Sequence, residues 1–215
     1  MLPNIKDLRQ DYRLASLDIT DVQANPFDQF KKWFQEALDA QLPEPNAMTL
    51  ATSTSDGKPT IRVVLLKSVD YEGFVFYTNY GSRKGKELAA NPYAALNFLW
   101  LELERQVRIE GTVEKVSAAD SDAYFQSRPK GSQIGAWASP QSMVIPDRKE
   151  LEEKAQQLTT VYEKEVSLPR PEHWGGFVIK PTLIEFWQGR SSRLHDRMQY
   201  TLQADSSWKI ERLAP

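Results

Sequence analysis

The spacing of apolar positions changes period several times along the chain. Residues 1–24 are polar and mixed in charge, and predict an arm that orders only against another surface. Asn25-Pro26 then has the form of a helix start, with Pro at the first helical position and Asp28 in the first turn. Phe27, Phe30, Trp33, Phe34, Ala37 and Leu38 recur at helical spacing, which predicts a helix with one wide aromatic face to about residue 40. From Ala47 the pattern becomes that of strands: 48–54, 60–69 and 74–78, joined by turns at 55–59 and 70–73 and expected to form a meander. Residues 94–101 and 106–117 predict a hairpin around 102–105, and 176–187 and 208–213 supply late strands. Helices are expected from near Ser82, over 118–127 with Pro129 ending it and Ser132 in the loop beyond, and from Asp147 to about 165. Asp147 and Glu150 have capping-box spacing in the last of these.

Strands and helices do not alternate regularly, and neither G-x-G-x-x-G nor G-x-x-x-x-G-K-[ST] occurs. The expected fold is therefore mainly β with added helices: a small antiparallel β-barrel over residues 25–215, preceded by the arm. The 215 residues suffice for one sizeable core, and a formal charge of −2 argues against a protein that coats nucleic acid or a membrane. The absence of cysteine removes disulfide, thiol and Fe–S chemistry, and two histidines make a His-rich metal site improbable, so no metal is expected. No apolar run is long enough to span a bilayer and no signal-peptide core is visible, which reads as a cytoplasmic protein.

Anion binding must then come from local clusters. Residues 186–197 place Trp187, Arg190, Arg193, His195 and Arg197 within twelve positions, a density suited to a flat anionic ligand. Residues 77–88 end a strand and start a helix with Arg83, Lys84 and Lys86 in its first turn, where cations oppose the helix dipole. A bound phosphate reverses that conflict; an exposed basic turn is the alternative. Arg62 and Lys67 bracket an apolar strand, and strict alternation puts them on opposite faces. They meet one ligand only if the strand bends or the ligand runs along it. Tyr124 and Arg128 share a helix face, with Ser132 just beyond, and can converge on a second phosphate or simply cap a helix end.

Several runs, in colinear order over essentially the whole chain, resemble one family. They include Arg62-Val63-Val64-Leu65-Leu66-Lys67, Gly81-Ser82-Arg83-Lys84, Glu104-Arg105-Gln106-Val107, Ser127-Arg128-Pro129, Trp174-Gly175-Gly176-Phe177, Phe186-Trp187-Gln188-Gly189 and Arg193-Leu194-His195-Asp196-Arg197. The chain is similar to the pyridoxamine 5′-phosphate oxidases. The resemblance implies an FMN-binding split β-barrel with a C-terminal dimerisation region, and a homodimer with FMN sites at the subunit interface. It implies oxidation of pyridoxamine 5′-phosphate or pyridoxine 5′-phosphate to pyridoxal 5′-phosphate, with O2 reduced to H2O2. Carried over by position, Arg62, Val63, Val64, Leu65, Leu66, Lys67, Tyr77, Thr78, Arg83, Lys84 and Gln106 hold FMN from one subunit. Gln141, Ser142, Trp187 and Arg197 complete that site, mainly from the other. Lys67, Tyr124, Arg128 and Ser132 hold the substrate phosphate, Arg193, Leu194 and His195 face the pyridine ring, and the arm around Arg9 and Tyr12 closes over it. Arg193 and His195 are the expected catalytic pair. One position departs from the family pattern: Glu44-Pro45 stands where Asp-Pro is expected. The alternatives are a split-barrel FMN oxidoreductase of another substrate, and a carrier of flavin or pyridoxal phosphate; the Tyr124, Arg128, Ser132, Arg193 and His195 set discriminates against a nicotinamide-using reductase.

Overall fold

The computed structural model describes residues 4–215. Strands β1 (Ala47–Ser53), β2 (Pro59–Leu65), β3 (Ser68–Asp70), β4 (Gly73–Asn79), β5 (Tyr93–Trp100), β6 (Arg105–Lys115), β7 (Trp174–Gln188), β8 (Asp196–Leu202) and β9 (Trp208–Leu213) are hydrogen-bonded in the order β2-β1-β5-β6-β7-β4-β3, with β8 on β7 and β9 on β8. The chain divides into two compact units, one of residues 4–49, 95–110 and 181–215, the other of 50–94 and 111–180.

In the first unit, helix α1 (Pro26–Asp39) begins where the sequence requires. The Asn25 side chain accepts from the Phe27 amide at 2.9 Å, and Pro26 needs no donor there. The helix buries Phe27, Phe30, Trp33 and Ala37. Phe30 packs on Phe98 with ring centroids 5.1 Å apart, and Trp33 meets Phe186 edge-on at 5.2 Å. Each such aromatic contributes about 2–3 kcal/mol by burial. Strand β8 is an element the periodicity did not reveal. Its buried positions, Met198 and Tyr200, alternate normally, but they follow the charged run 193–197, which hides the period. It pairs antiparallel with β7, setting Trp187 opposite Arg197. The arm is not free of this unit: Leu17 is buried, and Tyr200 donates its hydroxyl to the Gln23 carbonyl at 2.6 Å.

In the second unit, β4 pairs antiparallel with β7 (Phe76 opposite Phe177, Thr78 opposite Gly175), and β3 forms a hairpin with β4. Helices α2 (Arg83–Ala90), α3 (Ala118–Ser127), α4 (Lys130–Ala138) and α5 (Arg148–Val161) belong to it. Three expectations are corrected here. The strand expected over 60–69 breaks, because Leu66 turns into the core while the Lys67 amide joins the Val75 carbonyl at 2.8 Å. The meander is replaced by this switch: β2 pairs with β1, and β4 with β3 and β7. Ser132 lies in α4 rather than in a loop. Pro129 ends α3 and also starts α4, accepting from the Ser132 amide at 2.8 Å, and Gly131 and Gly135 weaken the helical pattern in the sequence. Ile134, Phe125, Leu168 and Trp174 form the core beneath. Among the described residues no helix is long and apolar enough to cross a membrane.

Candidate functional site

The break after β2 makes the main cavity of the second unit, about 670 Å³ in volume. Because the strand ends at Leu65, Arg62 and Lys67 both line it, which alternation alone forbade. Val63, Val64 and Leu65 form one wall; Tyr77, Thr78, Lys84 and Gln141 another; Tyr124, Arg128, Pro129, Ser132 and Trp174 a third. Four of these lining side chains are cationic and none is a carboxylate.

The cations are held in different ways. Arg62 is spent on protein acceptors: Nη1 on Thr52 Oγ1 at 2.5 Å, Nη2 on Thr60 Oγ1 at 2.6 Å, with Glu87 at 3.3 Å. Glu87 is the buried anchor of this corner, only 6% exposed, and also takes Arg83 Nε at 2.9 Å. Burial alone would raise its pKa, but the Thr52, Thr60 and Arg83 hydrogen bonds and the Arg62 charge bring it down to about 2. Lys84 has no carboxylate partner. Its ammonium donates to Thr78 Oγ1 at 3.2 Å and Gln141 Oε1 at 3.1 Å. Burial, and then the nearby Arg62, lower its pKa. It sits in the first turn of α2, whose start Ser82 caps through the Gly85 amide at 3.3 Å. Arg128 lies over the Trp174 ring at 4.7 Å, its pKa lowered by burial, and its Nη1 is buried without a hydrogen-bond partner. Tyr77 and Tyr124 stack at 3.9 Å beside it. A desolvated ammonium and an unpaired guanidinium nitrogen, some distance apart on one wall-to-wall cavity, are what phosphate-bearing ligands satisfy.

The first unit carries a separate cavity of about 560 Å³ lined by Arg9, Tyr12, Arg190, Arg193 and His195 among others. His195 packs on Trp187 with centroids 4.5 Å apart, and Tyr12 meets Trp187 edge-on at 5.9 Å. The Arg190 backbone N–H points at His195 Nδ1 at 3.1 Å, so Nδ1 accepts and the neutral ring carries its proton on Nε2. Burial, then Arg193, lower the His195 pKa against the opposing pull of Asp196. Ser192 and Arg193 both have positive φ, 58° and 63°, a strained pair in the turn that presents the Arg193 side chain. Gln106 and Trp187 line a further small cavity with Tyr12.

Some expected site residues stand apart. Leu66 is buried and lines no part of the main cavity. Arg83 is turned to Glu87, Ser142 is exposed at φ 70°, and Leu194 is exposed. Arg197 makes a two-pronged contact with Glu185 at 2.7 and 3.0 Å, which raises its pKa, and Glu185 itself is 1% exposed. Sequence reasoning missed Glu87, Glu185 and Trp174 as parts of the site. The i,i+4 spacing of Arg83 and Glu87, and the place of Trp174 in the family run Trp174-Gly175-Gly176-Phe177, were the available signals.

Comparison with known proteins shows the family of the chain. The family described as pyridoxamine 5′-phosphate oxidase matches residues 34–162, and the pyridoxine 5′-phosphate oxidase C-terminal dimerisation region matches 174–215. A pyridoxine/pyridoxamine 5′-phosphate oxidase of Trichormus variabilis is 62% identical over 211 residues, 98% of either chain. One of Paraburkholderia phymatum is 59% identical over 214 residues, covering both chains fully. Among solved structures, PhzG of Burkholderia lata, in complex with tetrahydrophenazine-1-carboxylic acid, superposes with TM-score 0.89 at 32% identity, covering 96% of this chain and 100% of that one.

Proposed function

Since the chain belongs to the pyridoxamine 5′-phosphate oxidase family and is an oxidoreductase with its split-barrel fold, we propose that it oxidises pyridoxamine 5′-phosphate and pyridoxine 5′-phosphate to pyridoxal 5′-phosphate. FMN is the redox group and O2 the final acceptor. The amine with O2 and water yields the aldehyde, ammonia and H2O2; the alcohol with O2 yields the aldehyde and H2O2. The enzyme acts as a homodimer, in accord with its match to the dimerisation region, and the FMN sites lie at the subunit interface.

The observation that carries this reading is Arg128. Its buried, unpaired Nη1 in a cavity without lining carboxylates fits a phosphate monoester, with Lys67, Tyr124 and Ser132 beside it. A substrate lacking phosphate would leave that guanidinium desolvated and unpaired. The same cavity offers Lys84, Thr78 and Gln141 to the FMN phosphate, with the charge of Arg62 behind them while its nitrogens stay on Thr52, Thr60 and Glu87, and Tyr77 and the apolar 63–65 wall to the rest of the cofactor. Arg83, Gln106, Ser142, Trp187 and Arg197 complete the FMN shell in the dimer. Held there, FMN would supply the two-electron redox chemistry between substrate and O2. The chain's own groups bind and orient. In the dimer, Arg128 and Lys67 anchor the phosphate, and Arg193 and His195 fix the pyridine ring and its reacting substituent. His195, protonated on Nε2, serves as a hydrogen-bond donor there. Arg9 and Tyr12 cover the ring and exclude water.

The test is aerobic incubation of the FMN-loaded protein with pyridoxamine 5′-phosphate, following aldehyde and peroxide together. Equimolar pyridoxal 5′-phosphate and H2O2 are expected. A protein that stays colourless after incubation with FMN, or forms neither product, rejects the proposal.

A further inference from the structure

The N-terminal arm is held by two carboxylates that the chemistry above leaves without a role. Glu104 Oε2 accepts the Leu14 amide at 2.9 Å, and Asp196 Oδ2 accepts the Leu17 amide at 3.0 Å. Both lie in the same compact unit as the arm. Glu104 occupies a left-handed turn with φ 51°, closing the β5–β6 connection, and its carbonyl receives the Gly189 amide at 2.7 Å. That contact brings the residue after β7 beneath the arm. A Cβ on Gly189 would lie 2.8 Å from Tyr12 Cγ and 2.9 Å from Tyr12 Cβ, so only glycine leaves room for the tyrosine. Asp196 is braced on its other oxygen by Arg212 Nη1 at 3.0 Å, and Arg212 also reaches the Leu17 carbonyl at 3.4 Å.

Local propensity has no part in this placement. Among the described residues before α1, only the short 3-10 turn Ile5–Asp7 is regular, and Leu8 and Leu14 are exposed. Backbone hydrogen bonds to charged acceptors, with one cleared seat, fix the exposed part of the arm, and the burial of Leu17 adds to them at its end. We propose that Glu104 and Asp196 are positioning residues that clasp the arm, and that Gly189 is the seat which lets Tyr12 lie against Trp187 and His195. They act through Tyr12 and do not themselves touch substrate. The consequence for turnover rests on the oxidase reading; the clasp itself does not.

The experiment compares the FMN-loaded wild type with Glu104→Ala, Glu104→Gln and Gly189→Ala. Limited trypsin digestion is followed by mass spectrometry for cleavage after Arg9 and Arg13. Glu104→Ala should speed that cleavage about tenfold, the size of a lost charge-assisted hydrogen bond in a locally opening segment. Gln, whose side-chain oxygen still accepts, should restore most of the protection. Gly189→Ala, whose added Cβ would also lie 3.0 Å from Glu104 Cβ, should open the arm with both carboxyl groups retained. In the opened variants KM for pyridoxamine 5′-phosphate should rise while kcat changes little, and FMN absorbance should be unaltered. Should Glu104→Ala fail to fold, Leu14→Pro removes the donated amide from the arm's side and carries the same expectation for cleavage after Arg9, since trypsin does not cut the bond before a proline. Cleavage after Arg9 at the wild-type rate in Leu14→Pro, with wild-type cleavage at both sites in Gly189→Ala, overturns the clasp. Faster cleavage in a protein that forms no pyridoxal 5′-phosphate overturns the oxidase reading and leaves the clasp standing.

Discussion

Replacing Glu87 by glutamine removes one charge from the corner that holds Arg62 while keeping the side chain's shape. The carboxyl is 6% exposed and its pKa falls from 4.5 to about 2 on folding. A depressed carboxyl pKa contributes stability that is fully present above the unfolded value and is lost as pH falls toward the folded one. A shift of that size corresponds to about 3 kcal/mol at pH 7 and about 1 kcal/mol at pH 3, from 1.36 kcal/mol per unit. Glu87→Gln should therefore lower the urea unfolding free energy by about 3 kcal/mol at pH 7, and the gap between mutant and parent should close steadily between pH 4.5 and 2. The amide cannot neutralise Arg62 and Arg83, so FMN retention should weaken as well. Equal urea midpoints at pH 7, or a gap that stays constant down to pH 3, would refute the reasoning, because either means that the ionised form gains nothing on folding.

Other expectations follow from the same geometry. Lys84→Met removes a desolvated ammonium with no carboxylate partner among the described residues, so thermal stability should be unchanged or higher while the Kd for FMN, followed by fluorescence, rises about tenfold or more; unchanged FMN affinity would detach Lys84 from the cofactor. Arg128→Ala should raise KM for pyridoxamine 5′-phosphate about thirtyfold, roughly 2 kcal/mol, with FMN still bound; Lys at this position should rescue only in part, lacking the planar face that lies over Trp174. For His195, 15N NMR of a protein with only two histidines should find an Nε2–H tautomer titrating below 6.5. Its depressed pKa contributes stability present above 6.5 and lost as the ring protonates at lower pH, so a midpoint above 6.5 would rule out the donor assignment. Trp33→Ala should cost about 3–5 kcal/mol in unfolding free energy, since the ring is 2% exposed and lies under Arg105; a loss below 1 kcal/mol would mean that the α1 face is not the core of its unit.

The amino-acid sequence by itself determined what depends on neighbours a few residues apart. Asn25, Ser82 and Asp147 cap the helices that their spacing predicts, and β9 has the bounds its pattern implies. The candidate anion-binding segments stood out because a cluster of like charges at a helix start is locally unfavourable and so demands a reason. The motif resemblance reached further, to the family. What only the tertiary structure decided is which charges are answered. Whether Arg62 has acceptors depends on Thr52 and Glu87, and whether Arg128 lacks one depends on the burial of its nitrogen against Trp174. The break at Leu66, which brings Arg62 and Lys67 to one cavity, follows from core packing that outweighs strand alternation. The clasp joins Leu14 to Glu104 and Leu17 to Asp196, residues 90 and 179 positions apart. A hydrophobic period is a local property of the chain, whereas the neutralisation of a charge is settled by whatever the fold places within a few ångströms, and no local pattern encodes that distance.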